Sequence, residues 1–254
     1  MRAYLAFTKK EFIENLRTYR LFIMLIVFLL FGIMNPAIAK IMPDILKSAT
    51  TKGMKITLPP PTALDSWGQF FKNAGQMGLL VLVIVFCGIM ANEFSRGTLI
   101  NMLTKGLKRS TVIFSKFTMA AVIWTLSYLL CFIVTYFYTA YFWKMSGMHH
   151  VFLTFFSLWL FGILLITLLI FGGALFKNIY GSLLLTGGSI VVMMLINIDP
   201  KLQKYNPIIL SSDNMSLLTA QKEVADFMPA IIICATLIIA LVVLSVAVFN
   251  KKQV

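Results

Sequence analysis

The sequence predicts an all-α polytopic membrane protein: six transmembrane helices, an N-terminal amphipathic interfacial helix, and a short cytoplasmic helix between spans 2 and 3. Three observations carry this. Hydrophobic residues make up 59% of the 254 and charged residues 12%, against roughly 45–50% and about 25% in an ordinary soluble domain. Six apolar stretches, 21–39, 74–91, 117–142, 151–172, 179–198 and 228–249, reach or approach the roughly 20 residues that cross a hydrocarbon layer. None contains Asp, Glu, Lys or Arg, each of which costs roughly 2.5–3.5 kcal/mol at mid-bilayer on insertion scales. The polar sequence left over is too short and scattered for a second folded unit, so residues 1–254 read as one membrane domain.

An even number of spans places both termini on one side. With the termini inside, the inner segments hold 13 Lys/Arg and 3 acids and the outer ones 9 and 6, and all five arginines lie inside. Positive residues favour the cytoplasmic side during insertion, so both ends are expected in the cytoplasm. The same rule accounts for the formal charge of +13. No Gly-aromatic nucleic-acid motif accompanies it, so nucleic acid is not an expected partner.

Along the chain, residues 3–20 predict the interfacial helix. Leu5, Phe12, Leu16 and Tyr19 recur at helical spacing, with Lys9, Lys10, Glu14 and Arg17 elsewhere around the wheel and Glu11 among them. Residues 1–39 also mimic a cleavable signal with Ala37-Ile38-Ala39 at its end, but Glu11, Glu14 and an apolar run long enough to cross favour retention. Asn35-Pro36 should loosen span 1 near its outer end. The outer segment 40–73 carries Pro43 and Pro59-Pro60-Pro61, which predict extended structure. After it, 64–71 predicts a short surface helix with Asp65 as N-cap and Trp67, Phe70 and Phe71 as interface anchors.

Span 3 concentrates aromatics. Tyr138, Tyr141 and Trp143 fit an outer interfacial belt, while Trp124 and Tyr128, with Asn35 of span 1, are candidates for a substrate path. Gly172-Gly173, Gly181 and Gly187-Gly188 predict close helix packing. The outer segment 199–227, broken by Asp199-Pro200 and Asn206-Pro207, reads as a small lid.

Catalysis finds no support in these residues. His149-His150 is the sole histidine pair, and adjacent residues point apart, which disfavours joint metal ligation. HExxH and GxSxG do not occur, and Cys87, Cys131 and Cys234 lie in apolar stretches without CxxC spacing. The dipeptide Gly-Lys occurs nowhere, so the sequence holds no phosphate-cradling GxxxxGK[ST] loop. No catalytic, cofactor or metal residues are therefore expected in this chain. Ion-coupled transporters usually keep acids or histidines inside their spans; here only Asn35, Asn197 or broken backbone would serve. That reading, or a channel, is the alternative to one in which a partner supplies the energy.

The inner segment between spans 2 and 3, residues 91–117, is the most informative. Thr98 can cap a short helix that stops at Gly106, with Lys105 near its negative end. Leu99, Met102 and Leu103 give that helix an apolar face, more than an insertion signal requires. The run Glu93, Gly97-Thr98-Leu99, Leu103-Thr104, Arg109 and Lys116 resembles the signature around the first cytoplasmic loop of bacterial ABC-transporter permeases of the type 2 exporter family. Lys10-Glu11 in an amphipathic leader, six spans and a long first outer loop are similar to that family too. The segment LTKGLKRS departs from the commoner form, which has Pro where Gly106 or Leu107 stands.

The resemblance implies a permease dimer in the bacterial plasma membrane, homomeric or paired with a paralogue. Two separate ATP-binding subunits would hold the ATP and Mg. It implies export of an amphipathic peptide, drug or lipid-like substrate, as in drug or antimicrobial-peptide resistance. The loop after span 2 would be the coupling helix, with Arg96 and Lys105 contacting acidic groups of the ATPase. Leu99 and Leu103 would fill its groove, Glu93 would tie the loop to neighbouring basic residues, and Gly97, Thr98 and Met102 would belong to the same docking segment.

Overall fold

The structure is a computed structural model that describes residues 2–49, 60–95, 97, 104 and 106–251. Of these residues 84% are helical, and none lies in a strand. The helices are α1 (Arg2–Arg17), α2 (Arg20–Ala49), α3 (Ala63–Lys72), α4 (Leu79–Phe86), α5 (Ala91–Ser95), α6 (Arg109–Phe142), α7 (Val151–Phe176), α8 (Ile179–Ile196), α9 (Pro200–Gln203), α10 (Ile209–Ser212), α11 (Asn214–Leu218) and α12 (Val224–Lys251). A π-helical segment, Asn73–Gly78, joins α3 to α4. Among the described residues, six helical stretches are long and apolar enough to cross a membrane: Arg20–Ile45, Ala63–Phe94, Arg109–Phe142, Val151–Phe176, Ile179–Ile196 and Val224–Lys251. This is the architecture of a multi-pass membrane protein.

The centre of the bundle is α7. In its most apolar window 78% of residues are buried, against 11% for α8 and for α12. Both of those helices pack on α7, as α2, α3 and α1 pack on α6. Apolar surface on α2, α8 and α12 faces outward because lipid, unlike water, exerts no pressure to bury it. The hydroxyls of Thr154, Ser157 and Thr167 on α7 donate to carbonyls four residues earlier, at 3.0, 2.8 and 2.8 Å. Polar groups of a central helix are thereby satisfied within it, as an apolar surrounding requires.

Span 2 departs from the sequence expectation. Its helix starts at Ala63, and the predicted surface helix is its first third. Asp65 is not the N-cap; it is the third helical residue, and its Oδ2 accepts from the Thr62 backbone N–H (2.7 Å) and Thr62 Oγ1 (2.8 Å). That reciprocal capping arrangement fixes where the helix begins. Trp67, Phe70 and Phe71 are not interface anchors, because α3 turns them inward against Tyr128 and Phe132 of α6. Likewise α2 continues through Pro43 to Ala49, where extended chain was expected. Residues 50–58 and Pro59, where the polyproline expectation is centred, lie outside the described residues; Pro60, Pro61 and Thr62 are not helical.

Pro36 sits inside α2 without ending it. A proline at that position leaves the Gly32 carbonyl without its helical N–H, and Thr135 Oγ1 of α6 donates to that oxygen at 3.3 Å. Beside it, buried Asn35 donates to Thr135 Oγ1 at 3.2 Å and accepts from Asn73 Nδ2 at 2.7 Å. Asn73 opens the π-helical segment. One uncharged polar node therefore joins the irregularity of span 1 to that of span 2.

The glycines divide. A Cβ on Gly172 would lie 2.9 Å from Ser182 Cα, and one on Gly173 would lie 2.7 Å from Met90 Cβ, so both permit close helix approach. Gly187 and Gly188 have nothing within 4 Å of a would-be Cβ, so they are not packing sites within this chain. At the end away from α1, Ile209, Leu210, Leu217 and Leu218 are buried where the 197–223 segment folds back over the bundle.

Candidate functional site

At the α1 end, five charged side chains from three elements converge. α1 brings Lys10, Glu11 and Glu14, α5 brings Glu93, and the second turn of α6 brings Lys116. Lys116 Nζ lies 2.9 and 3.0 Å from the two Glu11 oxygens and 3.0 Å from Glu93 Oε1. Lys10 donates to Glu93, to Glu14 (2.6 Å) and to Glu11 (3.1 Å). The side chains of Lys116 and Glu11 are each 1% exposed and that of Glu93 is 4%.

The local sequence explains this convergence. On α1 the protein-facing strip is Phe7, Glu11 and Asn15, spaced by four. Tyr4 and Thr8 on its flank bond Thr118 (2.9 Å) and Ser115 (3.1 Å) of α6. The predicted apolar strip faces away from the protein, with Leu5, Phe12 and Tyr19 exposed and Leu16 half-buried. Lys9 and Arg17 are exposed beside it. Lys10 and Glu11, expected only as polar residues of the interfacial helix, belong to the ion cluster.

A fully buried lysine is tolerated only when hydrogen-bonded to counter-charges, and Lys116 has two. Burial alone would lower the Lys10 pKa; hydrogen bonds to Glu14 and Glu93 and the charge of Glu11 outweigh it and hold the ammonium above the ordinary lysine value of 10.5. The Glu11, Glu14 and Glu93 carboxylates approach within 4.8 Å of one another, a spacing at which oxygens also ligate hard cations. Lys10 and Lys116 already supply the positive charge between them, so the donor set is that of an ion-pair network.

A second contact grips the other side of α5. Phe94 meets Phe249 of α12 edge-on at 5.7 Å, with Lys177 Nζ 5.6 Å from the Phe94 ring. Arg109, at the start of α6, stands 5.3 Å over the Phe249 ring and donates to the Phe249 and Asn250 carbonyls at the end of α12. Adjacent residues Glu93 and Phe94 thus bolt the end of span 2 to α1 and α6 on one side and to α12 on the other. Between α1 and α5 lies a cleft of about 330 Å³ bordered by Lys10, Ile13, Glu14, Arg17, Thr18 and Asn92.

Of the residues expected to dock a partner, Arg96, Thr98, Leu99, Met102, Leu103 and Lys105 lie outside the described residues. Gly97 and Gly106 have φ of 65° and 86°, left-handed values that glycine adopts without strain, and Gly106 therefore has the conformation that ends a helix. Thr104 is helical.

The suggested path residues are closely packed against their neighbours. Trp124 and Tyr128 stack at 5.0 Å, Tyr128 stacks on Phe155 at 4.4 Å, and Trp124 Nε1 donates to the Trp159 carbonyl at 3.0 Å. Both rings are fully buried, and Asn35 is taken up by Asn73 and Thr135.

Sequence reasoning missed Lys116 as the hub because it lies one residue before the predicted start of span 3, where a lone lysine reads as a flank. Its helical phase was the available signal: 116, 120, 124 and 128 form one buried stripe of α6. No protein-family model and no curated protein matches the chain.

Proposed function

We propose that this chain is the transmembrane permease subunit of an ATP-binding-cassette exporter in the bacterial plasma membrane, driven by two separate ATP-binding subunits. The observation that carries the reading is the double anchorage of α5 through Glu93 and Phe94. A segment that only turns the chain around between spans needs no buried ion cluster at its root. A segment that receives force does, because displacement must reach several helices together. Here one root is tied to α1, α6 and α12, and the other, at Arg109, to α12.

The α1 end faces the cytoplasm, and α1 lies in the membrane interface on its Leu5, Phe12, Leu16 and Tyr19 strip, with Lys9 and Arg17 toward lipid headgroups. The partner ATPase grips residues 96–105. ATP and Mg belong to the partner, and their hydrolysis shifts the permease pair between an inward-open state and an outward-open or collapsed one, with populations set by the differential binding free energy of the two states. The tightly stacked Trp124, Tyr128 and Phe155 rings correspond to a closed route that must repack for cargo to pass. An uncharged route suits an amphipathic peptide, drug or lipid-like molecule.

Co-purification with an ATP-binding subunit, followed by substrate-stimulated ATP hydrolysis, tests the reading. Stable complexes whose hydrolysis responds to cargo support it, and uphill transport by the isolated chain in vesicles lacking any nucleotide hydrolase sinks it. That second outcome would favour ion coupling, for which the Asn35, Asn73 and Thr135 node is the polar site within the spans.

A further inference from the structure

A second feature lies at the opposite end of the bundle and is independent of the transport reading. α8 and α12 each pack on α7, and residues of both line a cavity of about 630 Å³. Its walls include Leu184, Gly188 and Val192 of α8 and Leu237 of α12, and Tyr205 and Asn206 border its far end. Its size falls within the range of small-molecule pockets, roughly 300–1,000 Å³.

The cavity is apolar along its length, and the charged groups nearest its mouth are Asp199, Lys201 and Lys204 of the adjoining turn, with Asp199 capping the backbone N–H of Lys201 at 2.9 Å. The polar groups at its walls are spent within the protein: Ser189 Oγ donates to the Leu185 carbonyl at 2.8 Å, and Asn206 Nδ2 to the Met193 carbonyl at 2.6 Å. Apolar cavities do not hold water. Leu184 and Val192 are exposed on the lipid-facing side of α8 (75% and 55%), so hydrocarbon has direct access. At 18 residues, α8 is about 27 Å long at 1.5 Å per residue, close to the roughly 30 Å hydrocarbon thickness. Its last turn therefore sits near headgroup level. There the chain turns, and Lys201 and Lys204 stand exposed. Neither forms an ion pair among the described residues. Lys204 Nζ lies 4.9 Å from the ring of Tyr205, which borders the cavity mouth.

We propose that this groove binds an anionic phospholipid, with one acyl chain between α8 and α12 and the phosphate headgroup on Lys201 and Lys204. The two lysines outnumber the single carboxylate of Asp199 in this turn, and that net positive charge favours an anionic lipid over a zwitterionic one. The apolar walls select a lipid over a free phosphate.

The test uses the full chain with Tyr205→Trp as a reporter, in phosphatidylcholine vesicles containing traces of lipid brominated on the acyl chain; fluorescence is read against the unsubstituted chain. Brominated phosphatidylglycerol should quench the added indole at several-fold lower mole fraction than brominated phosphatidylcholine. K201E with K204E, both on the surface, should abolish that preference, and Gly188→Phe should block quenching by both lipids. Equal quenching by the two lipids overturns the proposal, as does a preference that survives the lysine reversal. Quenching by neither lipid also overturns it, as expected if a second copy of the chain covered the groove.

Discussion

The ammonium of Lys116 sits 2.9 and 3.0 Å from the two carboxylate oxygens of Glu11, a residue 105 positions earlier, with both side chains 1% exposed. Because Lys116 also bonds Glu93, one side chain holds together the N-terminal helix, the end of span 2 and the start of span 3. Removing one member of a buried pair leaves an uncompensated charge and costs about 3–5 kcal/mol, whereas replacing all members by neutral groups is often tolerated. Lys116→Met should therefore lower the thermal midpoint in detergent sharply, and K116M with E11Q and E93Q should recover most of the loss. A single variant as stable as the triple one would show that the cluster is not a latch.

Glu93→Gln keeps the shape of the side chain and removes its charge. In the proposed complex it should leave ATPase binding intact and weaken the response of hydrolysis to substrate. Hydrolysis that remains fully substrate-responsive would remove Glu93 from the route of force.

The raised pKa of Lys10 sets a pH dependence. A base whose folded pKa exceeds its unfolded value contributes stability that is complete below the unfolded value, near 10.5 for lysine, and is lost as pH rises through the folded one. The stability difference between the parent and Lys10→Met should be constant from neutral pH to about 10 and shrink above that. Unfolding midpoints of the two proteins across that range measure it; a difference that shrinks below pH 9 would contradict the assignment.

Thr135 Oγ1 compensates the Gly32 carbonyl that Pro36 leaves without a helical donor. Thr135→Val should cost about 1–3 kcal/mol, the penalty for unsatisfied buried polar groups. Adding Pro36→Ala should return part of it, because the restored N–H reaches the same carbonyl. Strict additivity in this double-mutant cycle would mean that the two residues do not share that oxygen.

Two glycines should respond oppositely to a methyl group. A Cβ on Gly162 would lie 2.4 Å from the Trp124 ring, while one on Gly188 meets nothing within 4 Å. Gly162→Ala should destabilise by about 1–3 kcal/mol through overpacking, and Gly188→Ala should be neutral or slightly stabilising because Ala is the better helix former. Thermal midpoints decide it; equal effects would mean that Trp124 moves freely.

The path from sequence to site broke at identifiable places. The family resemblance singled out Glu93 as a docking residue; in the structure its carboxylate bonds Lys10 and Lys116, partners that no spacing in the sequence names. Helical periodicity groups residues by face without saying which face the protein takes, so the burial of Glu11 beside Phe7 and Asn15 could not be read from the apolar strip alone. Trp67, Phe70 and Phe71 look like interface anchors because aromatics at a predicted boundary usually are; the Thr62 and Asp65 cap moves that boundary to Ala63 and turns the rings inward. Pro36 is legible as a point where span 1 loses a backbone hydrogen bond, but the group that answers it, Thr135, stands on another helix.

The sequence by itself determined that this chain holds six membrane-crossing helices, because each such helix closes its own backbone hydrogen bonds and its apolar content can be read locally. Only the tertiary structure decided which polar residues meet: Glu11 with Lys116, Asn35 with Asn73, Thr135 with Gly32. Those pairings depend on how helices rotate and slide against one another. Lipid rewards no particular apolar face, so packing and a few buried polar contacts set the rotation.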